Sequence, residues 1–248
     1  MSENAHGAPD HENETKAPPR VVRGGKLTEI RLAAGFLTIL PVLPRAAVAP
    51  EILAASFGWF PLVGFALGAL LAAENLALTP LFGDALADTA DALGAGSDRR
   101  RALEIMRDSR IGSFGAAAIF FFLAFEIVAL MTMGEARRTI ALWLARGLAR
   151  WAMVTVGWRI EYLRAEGAGT LLLAPGGDRN LALASVLVAL AALPVFSGRV
   201  LLAYVVAVAL AAVLRAAYRL WLGGVTGDLL GAAGELVEVA VLLVMAAI

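Results

Sequence analysis

The chain contains no cysteine, and its 248 residues include only two histidines. The missing cysteine excludes a disulfide scaffold and a thiol nucleophile. Charged residues are also scarce, at 17% of the chain, whereas about 25% is usual for a soluble domain. The hydrophobic class reaches 60%, and the mean hydropathy is +0.76. This composition argues against a soluble enzyme or a disordered chain and indicates an integral membrane protein.

An excess of charge of either sign is absent as well, because 21 Lys and Arg residues balance 21 Asp and Glu residues. This balance gives no support to nucleic-acid binding. The sequence has no HExxH motif, no Ser–His pair and no Walker-type glycine-rich loop. Both histidines, His6 and His11, lie near the start of the chain. Any catalysis must therefore depend on carboxylates, arginines and a metal.

Two segments of different composition divide the chain. Residues 1–26 are hydrophilic and contain almost no large apolar side chains, so burial could not offset their ordering entropy and we expect a disordered tail. Residues 27–248 predict one membrane-embedded catalytic domain. Its fold class is all-α, a polytopic membrane protein with about six or seven embedded helices, since alternating strands of the barrel type are absent.

Long apolar runs suggest where the helices cross the bilayer. Ile52–Ala73 and Asn180–Gly198 contain no charge and suit about 30 Å of hydrocarbon at about 1.5 Å per residue. Leu32–Pro44 is too short and too rich in proline for a span, and we expect a re-entrant or interfacial segment there. The remaining predicted spans are Val200–Leu214, Ile111–Met133, Thr139–Trp158 and Leu229–Ile248.

Three aspartates form the least lipid-like feature of the domain. Asp84, Asp88 and Asp91 stand at i, i+4 and i+7, within an arc of about 60° on a helix. Like charges so close to a bilayer are costly unless they are neutralised. Mg²⁺ would neutralise them, since it binds one or two carboxylates together with substrate phosphates. We expect a metal–phosphate site, with a solvated polar face as the alternative.

Arginines follow the aspartates in the sequence. The stretch Arg99–Arg110 contains five arginines, and Arg107 and Arg110 lie on one face of a helix. Planar guanidinium groups suit phosphate oxygens. The alternative is a salt-bridged helix with an ordinary Arg100–Glu104 pair at i and i+4.

Acidic residues recur directly before the last predicted span and within it. Asp228 and Glu235 are at i and i+7 on one face, and Glu238 follows them. Carboxylates in an apolar helix are candidates for function, with an ion pair to Arg146, Arg150, Arg215 or Arg219 as the alternative. We favour function for Asp228 and an ion pair for Glu238, and leave Glu235 undecided. Glu126, alone in its span, is expected to be structural.

These segments resemble the cobalamin synthase (adenosylcobinamide-GDP ribazoletransferase) family, and the resemblance covers nearly everything after the tail. Two departures are Ala85 and Ala92, where the family usually has glycine. The matching strings are Asp84-Ala-Leu-Ala-Asp88-Thr-Ala-Asp91, Ala102-Leu-Glu-Ile-Met-Arg-Asp-Ser-Arg-Ile-Gly112, Gly223-Gly-Val-Thr-Gly-Asp-Leu-Leu-Gly-Ala232, Phe36-Leu-Thr-Ile-Leu-Pro41, Phe60-Pro-Leu-Val-Gly64 and Tyr162-Leu-Arg-Ala-Glu-Gly167.

The resemblance implies a Mg²⁺-dependent phosphotransferase. It would join adenosylcobinamide-GDP to α-ribazole or α-ribazole 5′-phosphate and release GMP, in the late assembly of the nucleotide loop of cobalamin. Asp84, Asp88 and Asp228 would hold Mg²⁺, and Asp91 would take the proton of the attacking hydroxyl, although the aspartates could exchange these roles. The residues implied in substrate binding are Arg107, Asp108, Arg110, Arg164, Arg179 and Asn180.

The implied location is the bacterial cytoplasmic (inner) membrane, with the lipid bilayer and the two substrates as partners. Whether the protein forms a homo-oligomer stays open. Two alternatives remain at the level of sequence. The signature of a CDP-alcohol phosphotransferase has Ala-Arg at a fixed offset after its first aspartate. No Ala-Arg follows Asp84 at that offset. A metal or corrinoid transporter would show two related halves, and no such duplication is visible.

Overall fold

The structure, a computed structural model, describes residues 25–38, 40–44, 48–74, 83–108, 110–164 and 177–247; for residues 70–74, 83 and 84 it describes the backbone only. Every regular element in these ranges is a helix, which confirms the predicted all-α class. Of the predicted tail, residues 1–24 lie outside the described part of the chain.

The helices begin and end as follows. In chain order they are α1 (Lys26–Leu37), α2 (Pro50–Ser56), α3 (Phe60–Glu74), α4 (Gly83–Leu93), α5 (Arg99–Ile105), α6 (Ser113–Thr132), α7 (Glu135–Gly157), α8 (Gly177–Ala192), α9 (Gly198–Trp221) and α10 (Gly227–Ala247). Single 3₁₀ turns at Phe57–Trp59 and Leu193–Val195 join α2 to α3 and end α8.

Five helical stretches of the described residues are long and apolar enough to cross a bilayer. They are Pro50–Ala69, Ser113–Thr132, Gly177–Val195, Gly198–Trp221 and Gly227–Ala247. The predicted span Thr139–Trp158 belongs to α7, whose arginines lower its hydropathy but whose second half is almost wholly buried. The predicted membrane-embedded architecture is confirmed, with a number of spans close to the predicted one.

Helix α7 forms the centre of the bundle and packs against α3, α10, α9 and α8. Glycines let α3 approach it closely. A Cβ added to Gly64 would overlap the backbone carbonyl of Arg146, and one added to Gly68 would overlap that of Leu142. Because the contacts run in opposite directions along the two helices, α3 and α7 are antiparallel. Close helix contact through small residues is typical of packing in membranes.

A buried ion network joins α6, α7 and α10. The Arg146 guanidinium lies 2.7 Å from Glu238 Oε1 and 3.4 Å from Glu126 Oε1, and all three side chains are almost fully buried. The ion pair predicted for Glu238 is confirmed, and Glu126 has the structural role predicted for it. Such a network fixes the register of the three helices, because an uncompensated charge inside the bundle is costly.

Helix α4 lies across the beginnings of α6 and α10. Its Ala85 is so close to Gly231 that a Cβ at Gly231 would overlap it, and Leu86 shares a small apolar cluster with Phe122 and Ala232. Helices α6 and α10 both start near α4 and both reach Arg146, so they run parallel. The aspartate-bearing helix and Asp228 are thereby placed at the same end of the bundle.

Candidate active site

The aspartate-rich segment is helical as predicted, from Gly83 to Leu93. Asp88 and Asp91 are both half-buried on this helix. The side chain of Asp84 lies outside the described residues, although its backbone belongs to the first turn of α4.

Asp91 holds the start of α6. One carboxylate oxygen accepts the Gly112 N–H at 2.6 Å, and the other accepts the Gly115 N–H at 2.8 Å. A Cβ at either glycine would overlap the carboxylate. The first N–H groups of a helix have no partner within the helix, and a negative charge there is favourable. Asp91 therefore anchors α4 to α6, whatever part it takes in catalysis; its predicted role as base stays a prediction.

Asp228 lies at the start of α10 beside a predicted substrate-binding residue. The Arg164 guanidinium donates to Asp228 Oδ2 at 2.6 Å, and the same nitrogen donates to the Met106 carbonyl at 3.1 Å. The Asp228 side chain is 20% exposed and the Arg164 side chain is 25% exposed, so solvent reaches the pair. The end of α5, the segment before residue 165 and the start of α10 thus meet at one point.

Backbone pairing holds Arg164 in this position. The Leu163 N–H donates to the Val225 carbonyl at 2.9 Å, and the Val225 N–H donates to the Glu161 carbonyl at 2.8 Å. The chain reaches this pairing through Gly223, whose φ of +74° is in the region that favours glycine. A side chain at Gly224 would overlap the Glu161 carbonyl, so two adjacent glycines are needed for the approach.

Arginines of α5 and the residues just after it line an open groove of about 540 Å³. Arg107 follows directly on Met106, whose carbonyl binds Arg164. The side chains that line the groove are those of Arg99, Arg100, Leu103, Glu104 and Arg107.

Two predicted features of this stretch have separate outcomes. The Arg100–Glu104 pair forms as expected, with 3.0 Å between its charged atoms. Arg110 lies 2.6 Å from Asp108 and is exposed, so these two predicted substrate-binding residues bind each other. Hydrogen bonds from the Arg110 side chain hold the pKa of Asp108 below its usual range.

Arg179 and Asn180 contact another part of the bundle. The buried Asn180 amide donates to the Ala54 carbonyl at 2.8 Å and so joins α8 to α2. The Arg179 guanidinium is 4.0 Å from Glu29 on α1 and is largely exposed. These contacts are with α1 and α2 rather than with α4 or α10, and the predicted substrate-binding roles of both residues stay predictions.

The described residues contain no preassembled cluster of three or more His, Cys, Asp or Glu side chains that could hold a metal. Mg²⁺ usually takes only one or two carboxylates and completes its shell with water and phosphate oxygens. Half-buried Asp88 and Asp228, with Asp84 in the neighbouring turn, match that chemistry. The donor set therefore suits a cation that arrives with its phosphate substrate.

Sequence reasoning missed the contacts that complete the site. The Gly112 and Gly115 amides that bind Asp91 carry a weak signal, a three-residue glycine spacing just before a span. Trp221, whose indole donates to the Gly96 carbonyl at 2.8 Å, gave no signal in the sequence. It ties the end of α9 to the loop between α4 and α5.

Comparison with known proteins decides the family. A family model described as cobalamin-5-phosphate synthase matches residues 29–83 and 81–246. The chain belongs to the cobalamin-5-phosphate synthase family. The second matched range includes all of α5, the Arg164 segment and the Asp228 turn, whereas the predicted tail lies before the first. This membership makes the chain a transferase of cobalamin biosynthesis and favours that function over a CDP-alcohol phosphotransferase and over a metal or corrinoid transporter.

Relatives from several bacteria support the family assignment. A protein named adenosylcobinamide-GDP ribazoletransferase from Syntrophobacter fumaroxidans is 40% identical over 237 residues, covering 85% of this chain and 94% of the relative. Proteins of the same name from Desulforamulus reducens and Chlorobaculum parvum are 36% and 34% identical, covering 85% and 89% of this chain and 93% and 95% of the relatives. No solved structure is significantly similar to the chain.

Proposed function

We propose that this cobalamin synthase family member transfers the adenosylcobinamide phosphoryl group from adenosylcobinamide-GDP to α-ribazole or α-ribazole 5′-phosphate. A ribose hydroxyl oxygen of ribazole forms a bond to the cobinamide-side phosphorus, and the bond from that phosphorus to the bridging oxygen breaks. The products are adenosylcobalamin or its 5′-phosphate, GMP and the hydroxyl proton. The observation that carries the proposal is the meeting of α4, the Arg164–Asp228 pair and the end of α5 at one end of the bundle.

The arginines would bind the pyrophosphate of the activated corrinoid. Arg99 and Arg107 line the open groove along α5, and guanidinium groups keep their charge and match phosphate oxygens in geometry. Positive charge there offsets the negative charge that develops on the departing phosphate. Arg164 is held by Asp228 and by the carbonyl of Met106, the residue directly before Arg107.

The carboxylates would hold Mg²⁺, with Asp84, Asp88 and Asp228 as its protein ligands. When bound, the ion supplies neutralisation of phosphate charge and helps align the reacting oxygens. Asp91 would accept the proton of the ribazole hydroxyl. Each of its oxygens receives one backbone N–H, and a carboxylate oxygen has two lone pairs, so acceptor capacity remains.

We further propose that the enzyme lies in the bacterial cytoplasmic (inner) membrane. The support is the set of apolar helices and the bacterial origin of the relatives. A homo-oligomer stays a prediction of the sequence.

The test is release of GMP by the purified protein in detergent, given adenosylcobinamide-GDP and α-ribazole. We expect GMP and adenosylcobalamin in equal amounts, and neither product without α-ribazole. EDTA should abolish turnover, and added Mg²⁺ should restore it. GMP release without formation of adenosylcobalamin would contradict the proposal, and so would corrinoid transport in proteoliposomes without GMP release. Full activity after exhaustive chelation would remove Mg²⁺ from it.

A further inference from the structure

Thr226 is a buried polar residue directly before α10, and the proposed reaction does not use it. The residue is 0% exposed, so its hydroxyl makes no contact with bulk water. Burying a hydroxyl is costly unless hydrogen bonds within the protein replace those to water. The partners of this hydroxyl therefore show which parts of the bundle it holds together.

The first contact of the Thr226 hydroxyl is with its own helix. The hydroxyl oxygen accepts the Leu229 N–H at 3.3 Å, and the Thr226 carbonyl accepts the Leu230 N–H at 3.2 Å. These are the bonds of an N-cap residue, which satisfies N–H groups that have no partner within the helix. The cap fixes the start of α10, and Asp228 lies in the first turn that follows it.

The second contact joins this cap to the end of α5. The same hydroxyl donates to Met106 Sδ at 3.6 Å, and Met106 is almost fully buried. Because a hydroxyl has only one proton to donate, both its donor and its acceptor capacity are used inside the protein. Met106 directly precedes Arg107, which lines the open groove. The contact therefore connects the start of α10 to the chain that forms this groove.

These contacts close a ring that includes the Arg164–Asp228 pair. The Met106 carbonyl accepts from the Arg164 guanidinium at 3.1 Å, and the same guanidinium nitrogen donates to Asp228 Oδ2 at 2.6 Å. Asp228 follows Thr226 by two residues, and the Thr226 hydroxyl leads back to Met106. Met106 is thus held by two hydrogen bonds, one to its sulfur and one to its carbonyl, so a change at Thr226 is transmitted to the pair.

We propose that Thr226 is a positioning residue that fixes the end of α5 against the start of α10 and so sets the geometry of the Arg164–Asp228 pair. This inference rests on the proposed function, in which arginines bind the pyrophosphate of the activated corrinoid and Asp228 holds Mg²⁺. Loss of the hydroxyl releases the Met106 side chain from α10. Small displacements of groups that bind the reacting phosphate cost large factors in rate.

Four single variants separate the helix cap from the contact with α5. Thr226→Val has nearly the same shape and removes the hydroxyl, whereas Thr226→Ser keeps it. Met106→Leu keeps the cap and the volume of the side chain but removes the sulfur acceptor. Ser197→Ala is the control for loss of a cap alone. Ser197 accepts the Val200 N–H at the same distance, 3.3 Å, at the end of α9 that is remote from α5.

The kinetic test measures both substrates below the melting temperature of each variant. We expect Thr226→Val to lower kcat/KM for adenosylcobinamide-GDP by about tenfold or more, with KM for α-ribazole within about twofold. Met106→Leu should lower the same ratio by about threefold or more, since sulfur is a weak acceptor. Thr226→Ser and Ser197→Ala should stay within about twofold of wild type, because neither removes the contact with α5. A wild-type ratio in Met106→Leu, or a loss of stability in Thr226→Val without this selective kinetic loss, would make Thr226 a cap only and the inference wrong.

A second measurement does not depend on turnover. The chain has no cysteine, so spin labels can be placed at Arg101→Cys on α5 and Leu236→Cys on α10, both exposed. We expect Thr226→Val and Met106→Leu to broaden or shift the distance distribution between the labels, and Ser197→Ala to leave it unchanged. An unchanged distribution in Thr226→Val overturns the inference. If the labels respond as expected but the wild-type protein releases no GMP, the proposed function fails and the contact between α5 and α10 stands.

Discussion

At the scale of single residues, Arg164 holds the most consequential position in the site. Its guanidinium bridges the Asp228 carboxylate and the Met106 carbonyl. A cation at this place would compete with the proposed Mg²⁺ for Asp228, and it would also provide positive charge for a phosphate that arrives with the metal. The residue is therefore expected to weaken metal binding in the free protein and to assist turnover in the loaded enzyme.

Replacing Arg164 by alanine separates these two effects. We expect Arg164→Ala to bind Mn²⁺ roughly threefold more tightly, because a competing positive charge is gone, while GMP release falls by about tenfold or more. Mn²⁺ affinity is measured by EPR titration of the protein in detergent. Arg159→Ala, which removes an exposed arginine paired with Asp178, is the control and should change neither quantity. A parallel loss of Mn²⁺ affinity and turnover in Arg164→Ala would contradict the competition.

Two variants of Asp91 separate its structural contact with the start of α6 from its proposed role as catalytic base. Asp91→Ala removes two hydrogen bonds to the start of α6 and should lower the free energy of unfolding by about 2 kcal/mol. Asp91→Asn keeps one acceptor oxygen and should lose less stability, yet it should abolish turnover if the carboxylate takes the proton. Thermal melting and GMP release are measured together. Asp98→Ala, which removes the side-chain cap of α5, serves as the control for loss of a cap alone. Retained turnover in Asp91→Asn would assign Asp91 to the anchor only.

At the scale of the helices, the contact between α4 and α10 depends on the absence of a side chain at Gly231. A Cβ there would overlap Ala85, so the helices cannot keep their separation once a side chain is added. Because α4 carries Asp88 and α10 carries Asp228, their separation determines whether the two carboxylates can serve one ion.

We expect Gly231→Val to push α4 away from α10 and to reduce GMP release by about tenfold or more. The same variant should lower the melting temperature only moderately, because the ion network of α6, α7 and α10 is untouched. Gly134→Ala is the control, since a Cβ at Gly134 meets nothing within 4 Å. Normal turnover in Gly231→Val would show that the close contact is not needed for the site.

At the scale of the whole molecule, the family match begins at residue 29 and leaves out the hydrophilic segment that precedes α1. This segment contains His6 and His11, the only histidines of the chain. A mechanism that uses carboxylates, arginines and a metal needs neither of them. The bundle from α1 onward is therefore expected to suffice for catalysis.

Removal of residues 1–23 tests this expectation. We expect turnover within about twofold of the full chain, since the segment has no apolar pattern with which to pack. An unperturbed histidine titrates near pH 6.5, so the pH–rate profile should also be unchanged. GMP release is measured from about pH 5.5 to pH 8.5 for both proteins. A large loss of activity, or a limb of the profile that disappears near neutral pH, would place the segment at the site.

The sequence by itself determined the membrane-embedded all-α class, the positions of the spans and the helix that carries Asp84, Asp88 and Asp91. These features follow from local periodicity and composition, which act over one or two helical turns. The family was also readable, because its motifs are continuous strings.

Only the tertiary structure decided which of these residues meet. Arg164 binds Asp228, Asp91 binds the Gly112 and Gly115 amides, and Asn180 binds the Ala54 carbonyl rather than another candidate residue. Each contact joins residues far apart in the chain, and it depends on how closely helices pack at small residues such as Gly231. Local patterns do not encode those distances, because the free energy that sets them comes from packing and burial shared by the whole bundle.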